Sequence, residues 1–181
     1  MLEPIRFAAL PVTPWPNLAG RKADIASGEG WASGEGWMAG FAWLDQDAPF
    51  SRLPGIDRTI TLLDGPGFTL EVAGAGAVAV GRAHVPTRFD GGPPTRCRIH
   101  GGPCRVLNAM TARPGWSHRV EVLDWAGTLS LAPAGTHGFV VLLGGAATVA
   151  GATLEPLDTL RLAGPVALHG AGRACRVTFW E

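Results

Sequence analysis

The sequence has no net charge, almost no lysine, few cysteines and no long apolar run, and hardly a window in which a regular helix could form uninterrupted. Fifteen basic side chains balance fifteen acidic ones. The broad attraction that nucleic acids or anionic membranes require is therefore missing, and neither is expected as a partner. Lys22 is the one lysine beside fourteen arginines, which with the wealth of Ala and Gly fits a codon bias better than a built basic face. No stretch approaches the ~20 apolar residues needed to cross a bilayer. Pro11 and Pro14 interrupt the apolar patch that begins at Phe7, and no small-residue cleavage site follows, so no signal peptide is expected. Cys97, Cys104 and Cys175 are odd in number and lack metal-type spacing. Three such thiols make no disulfide framework, and a cytoplasmic protein with reduced cysteines is the expectation.

What the chain does have is punctuation. Its 26 glycines and 15 prolines are spread throughout, and between them recur short runs rich in Val, Ile, Thr, Leu and Phe: residues 59–63, 68–72, 77–80, 105–108, 119–123, 128–131, 139–143 and 176–180. That rhythm predicts an all-β antiparallel sandwich or barrel. With 181 residues, one ordinary core is the natural expectation.

Two segments can be laid over one another. "ITLLDGPGFTL" (Ile60 to Leu70) and "VVLLGGAATV" (Val140 to Val149) each read as a strand, a glycine turn and a second strand, which suggests two similar β-units. The continuation "ATLEPLDTLRLAGPVALHG" reads as a meander with Asp158 in its first turn, the way a jelly-roll or cupin barrel closes. A second repeat is literal: "ASGEGW" occupies 26–31 and again 32–37. No Lys or Ser/Thr of a P-loop follows, so a local duplication that lengthens a loop is favoured over a phosphate cradle, with Trp37 starting the next strand.

Candidate chemistry is sparse. The five histidines (His84, His100, His118, His137, His169) lie at least sixteen residues apart, so no strand pairs two of them as metal ligands, and no metal or cofactor is expected. Ser51 lacks the glycine-flanked setting of a nucleophile elbow and is expected to bond backbone at a turn. Cys97 and Cys104 flank His100, although a buried, inert thiol is the commoner outcome. Arg58 differs, because it opens an apolar strand where a guanidinium could hold a carboxylate by two parallel bonds. An ion pair with Asp57 or Asp64 that pins the corner is an equal alternative. Asn17 and Asn108 are amides in apolar or glycine-rich surroundings, suited either to buried backbone or to a small polar ligand.

Four stretches together resemble the HutD/Ves family: "PWPNLAGRKADIA" (14–26), "PFSRLPGIDRTITLLDGPGFTL" (49–70), "TRFDGGPPTRCRIHGGPCRVLNAM" (87–110) and the "TARPG" after it. The second is the most specific. Trp15, Asn17, Gly20, Phe50, Ser51, Pro54, Gly55, Arg58, Gly65, Phe89, Gly91, Asn108 and Met110 match position by position. The resemblance implies a single-chain bicupin, two jelly-roll-like barrels over 1–181 with approximate halves 1–100 and 101–181. It also implies a link to bacterial histidine utilisation through binding of a small acid rather than catalysis of a step. Departures fall at Leu18 and Ala19, at Lys22 and Ala23 before Asp24, at Met38 and Gly40, and at Val106. Several of the lost groups are polar ones that a pocket would use, so the ligand is expected to differ or be absent.

The resulting reading is a metal-free bicupin that binds a small carboxylate metabolite in a regulatory or accessory role. Trp15, Asn17, Phe50, Ser51, Arg58, Asn108 and Met110 would form the site, with Arg58 as anchor and Trp15 and Phe50 as an apolar wall. A homodimer is compatible with it. The alternatives are a cupin enzyme, an isomerase or dioxygenase acting on a small acid, and a structural protein with a vestigial pocket.

Overall fold

Glycine and proline cut the chain into short segments, and nearly every segment between them is a strand. The computed structural model describes residues 3–15 and 18–181; Asn17 lies outside them. Helix among the described residues is limited to two 3-10 turns, Phe7–Ala9 and Trp31–Ser33, and the strand pairings given by residue register are all antiparallel. The fold is all-β. The chain divides into two compact units, residues 11–117 and residues 1–10 with 118–181.

The unit of residues 11–117 is built from β1 (Thr13–Pro14), β2 (Gly20–Ser27), β3 (Trp37–Leu44), β4 (Ala48–Pro49), β5 (Ile56–Asp64), β6 (Phe68–Val72), β7 (Gly76–Val80), β8 (Pro86–Asp90), β9 (Thr95–Ile99) and β10 (Cys104–Ala112). They form a six-stranded sheet in the order β1-β2-β3-β10-β5-β8 and a four-stranded sheet in the order β4-β9-β6-β7. Because side chains alternate along a strand, Ala42, Leu44, Ile60, Leu62 and Val106 of the first sheet meet Phe68, Leu70, Val72 and Cys97 of the second in one core. Ile60, Leu70 and Phe68 are fully buried, each stabilising the fold by about 1.5–3 kcal/mol. The hairpin from β5 to β6 turns at Gly65, whose φ is +101° and whose missing Cβ would stand 2.5 Å from the Pro103 carbonyl. Only glycine fits there.

The second unit holds β11 (Ser117–Leu131), β12 (His137–Val149), β13 (Ala152–Leu154), β14 (Thr159–Arg161) and β15 (Val166–Trp180). Their order is β11-β15-β12-β13, with β14 also pairing β12. Leu142, Leu160, Leu168, Val140 and Ala174 form its core. The N-terminal segment belongs to this unit. Ile5 bridges Thr159, and the buried Asp158 carboxylate accepts from the Phe7 backbone N–H at 3.0 Å, the Glu155 N–H at 3.0 Å and the Arg6 guanidinium at 2.6 Å.

Three expectations change here. The segment 140–149 is not a strand, turn and strand: it runs as the continuous β12, with a bulge between Leu142 and Gly144 while Gly144 and Gly145 oppose Arg173 and Gly172. A glycine pair without proline bends a strand, whereas Gly65-Pro66-Gly67 reverses one. The overlay on 60–70 therefore fails as a repeat of two hairpins. Likewise the runs 119–123 and 128–131 are parts of the single strand β11. The sheets are open, ending on the edge strands β1, β8, β4, β7, β11 and β13, and do not close into a barrel.

Candidate functional site

Inward-facing positions along β3, β5 and β10 are apolar at one end of the sandwich and change character at the other. On β5 the series Leu62, Ile60 ends at Arg58; on β10 Val106 is followed by Asn108 and Met110; on β3 Ala42 gives way to Gly40 and Met38. The ladder puts Met110 opposite both Arg58 and Met38, and Asn108 opposite Gly40. Where the core thus opens, a cavity of about 400 Å³ forms, and these residues line it together with Trp15, Lys22, Asp24, Trp31, Phe50, Ser51 and Leu53.

Arg58 is 7 % exposed. Its guanidinium carbon lies 5.0 Å from the Phe50 ring centroid and 4.8 Å from that of Phe89, close enough for cation–π attraction to both. Neither acid offered by the sequence pairs with it. Asp57 is engaged by Arg113 at 3.4 Å and Arg88 at 3.9 Å, and Asp64 by Arg105. The Arg58 Nε is buried without an acceptor, and burial pulls the group's pKa down to about 10. At neutral pH it is still a cation, held among aromatic rings with no carboxylate beside it.

Asn108 is buried on the neighbouring strand, and its Oδ1 has no donor. Across the cavity Lys22 and Asp24 pair with each other at 2.6 Å and are both half-exposed. They cancel, so the uncompensated charge of the site is that of Arg58. Trp15 meets Phe50 edge-on with centroids 6.2 Å apart. Gly91 makes room for the arginine: a Cβ there would lie 3.1 Å from Arg58 Cδ and 3.0 Å from the carbonyls of Leu53 and Ile56. Ser51 sits exposed on the rim.

Of the residues expected to form a site, Trp15, Phe50, Ser51, Arg58, Asn108 and Met110 converge on this one cavity. Lys22, Met38 and Gly40, three positions where the sequence departs from the family pattern, join them, as does Asp24. Phe89, Gly91 and Trp31 had no assigned role. The run Phe-Asp-Gly-Gly at 89–92 is the signal that could have found the first two, because an aromatic followed by glycines can mark a close backbone approach.

Elsewhere the groups are quiet. Cys97, Cys104 and Cys175 are free and buried; burial pushes Cys97 and Cys175 up to about 12 and Cys104 upward. His100 bonds Thr69 at 2.9 Å and His169 bonds Thr128 at 3.2 Å. Among the described residues no three His, Cys, Asp or Glu side chains gather as a metal site. Nor is any described helix long and apolar enough to cross a membrane.

A family model for HutD matches residues 8–177. The chain belongs to the HutD family. A conserved protein of unknown function from Pseudomonas aeruginosa PAO1 is similar over 100% of both chains at 25% identity, with a TM-score of 0.84. HutD from Pseudomonas fluorescens SBW25, solved in a formate condition, is similar at 22% identity over 99% of this chain and 98% of its own, also with a TM-score of 0.84. A salicylate 1,2-dioxygenase from Pseudoaminobacter salicylatoxidans shares the fold at 11% identity and a TM-score of 0.59, over 78% of this chain and 70% of its own. The HutD chain is thus cupin-like in fold. No curated protein sequence matches it significantly.

Proposed function

We propose that this HutD-family chain binds a small carboxylate metabolite in the cavity of residues 11–117, as an accessory or regulatory protein of histidine utilisation in the bacterial cytoplasm. The observation that carries the proposal is Arg58. A buried guanidinium without a counter-ion costs folding free energy, and a fold that keeps one between two aromatic rings beside an open cavity is holding it for an incoming anion. One carboxylate would complete the charge, by parallel bonds to the guanidinium. A ligand N–H or O–H would complete Asn108, and Trp15 and Phe50 would cover the apolar body. The Lys22–Asp24 pair offers no second free cation, which favours a monoanion over a dianion.

The two units are read as the two halves of a bicupin whose sheets have opened. The departures at Lys22, Met38 and Gly40 line the cavity itself. That supports a ligand different from that of relatives carrying polar groups at those positions.

Calorimetry and thermal shift with histidine, urocanate, formiminoglutamate, formylglutamate and glutamate test the proposal. A ligand at 100 times its Kd should stabilise the protein by about 2.7 kcal/mol. The proposal fails if none of these acids, nor any simple carboxylate, moves the melting temperature at millimolar concentration.

A further inference from the structure

The duplicated hexapeptide is the connection from β2 to β3, and its two identical copies fold differently. Ala26 and Ser27 of the first copy finish β2, whereas Ala32 and Ser33 of the second lie in a 3-10 turn; Trp37 of the second copy begins β3, whereas Trp31 of the first starts that turn. The hairpin closes with the Gly28 N–H donating to the Trp37 carbonyl at 2.9 Å. The second copy folds back over the first, since a Cβ on Gly36 would stand 2.5 Å from the Glu29 carbonyl. A single copy would suffice for the hairpin: Ala32, Ser33 and Gly34 could take the places of Ala26, Ser27 and Gly28 against β3, leaving Glu35-Gly36 as a two-residue loop, a common hairpin length. The extra six residues are more than the connection needs.

What they add to the cavity is one indole. Trp31 lines it and packs on Met38, Met110, Ile56 and Ala112 beside Leu53. Its partners are thioethers and aliphatic carbons, a setting in which a flat ring finds favourable contact and no polar group to satisfy. Trp15 and Phe50 line the same cavity.

We propose that the inserted copy makes Trp31 the specificity-determining residue of the site, selecting monocarboxylates with a flat aromatic or heteroaromatic body over short or aliphatic ones. This rests on the carboxylate reading above. Arg58 would take the carboxylate, common to all such acids, and Trp31 would distinguish what is attached to it.

The test uses acetate and benzoate as probes, measured by calorimetry on the full chain. Wild type should bind benzoate more tightly than acetate. Trp31→Ala should weaken benzoate by at least about tenfold while leaving acetate within about twofold, the loss expected when a partly buried aromatic contact of the ligand is removed. Trp31→Phe should retain most of the preference, and deletion of 26–31 should reproduce Trp31→Ala, so the proposal does not depend on one variant folding. An unchanged ratio of the two affinities in Trp31→Ala and in the deletion, beside loss of both acids in Arg58→Met, would overturn the role of Trp31 and leave the carboxylate site standing. If both acids bind equally well to wild type and Arg58→Met, or neither binds wild type, the carboxylate reading falls and the selectivity with it.

Discussion

Asp57 and Arg58 are neighbours on β5 and face opposite ways. Asp57 is held on the outside by Arg113 and Arg88 at 3.4 and 3.9 Å, while Arg58 lies inside between the rings of Phe50 and Phe89. The corner and the site are therefore the same stretch of chain, divided by the pleat.

The two residues should separate on mutation. Asp57→Asn touches only half-exposed ion pairs, so it should lower stability by under about 1 kcal/mol and leave acid affinity alone. Arg58→Met removes a buried cation that has no counter-ion. Its melting temperature should hold or rise by a few degrees, and binding should fall by about 2–5 kcal/mol. Calorimetry beside thermal melts reads both; a melting temperature that drops while affinity stays would make Arg58 a structural residue.

Binding should follow Arg58 in pH. Below about pH 4–5 the ligand carboxylate protonates and affinity is lost. Between pH 6 and 9 it should be flat, and it should decline again as pH rises through about 10, where the arginine gives up its proton. Stability moves the other way at the alkaline end. The folded pKa lies below the unfolded one, so the charged group opposes folding at neutral pH and the opposition is relieved above about 10. The shapes of the stability–pH curves of wild type and Arg58→Met should differ only in that alkaline limb.

Gly91→Ala probes how the arginine is placed. The new methyl would press on two carbonyls at 3.0 Å and on Arg58 Cδ at 3.1 Å. Overpacking of this kind costs about 1–3 kcal/mol, and the displaced side chain should weaken acid binding as well. A variant with full affinity would show that the Arg58 stem has slack.

The three thiols should be inert. With Cys97, Cys104 and Cys175 buried and their pKa values raised, an aromatic disulfide reagent at pH 8 should label none in the native protein and all three after denaturation. Rapid labelling of any one in the native state would contradict its burial.

The strands were legible because their signal is local: a β-branched run between breakers needs no partner to be recognised. Arg58 was legible for the same reason, as a lone cation opening the apolar run of β5. What could not be read was pairing. Only the register that sets Met110 against Arg58 and Asn108 against Gly40 shows that Lys22, Asp24, Met38 and Gly40 face one cavity. The glycines misled in one place. Gly144 and Gly145 read like a turn, and the long partner strand β15 carries them through as a bulge. Trp31 was hidden by its own repeat, since identical hexapeptides give no hint that one indole starts a strand and the other meets the cavity.

The place of the first ten residues bears on how the protein is made. Ile5, Arg6 and Phe7 find their partners at Asp158 and Thr159, which leave the ribosome about 150 residues later. At about 5–20 residues per second, the N-terminus waits on the order of ten seconds or more for them. Residues 11–117 contain both sheets of their own unit and need not wait. Synthesis should therefore proceed in two folding events, the second joining the segment before residue 11 to residues 118–181. A force-sensing arrest sequence placed at successive lengths would register one pull once β10 has emerged and another only after β15; a single late pull would mean that the two units fold together.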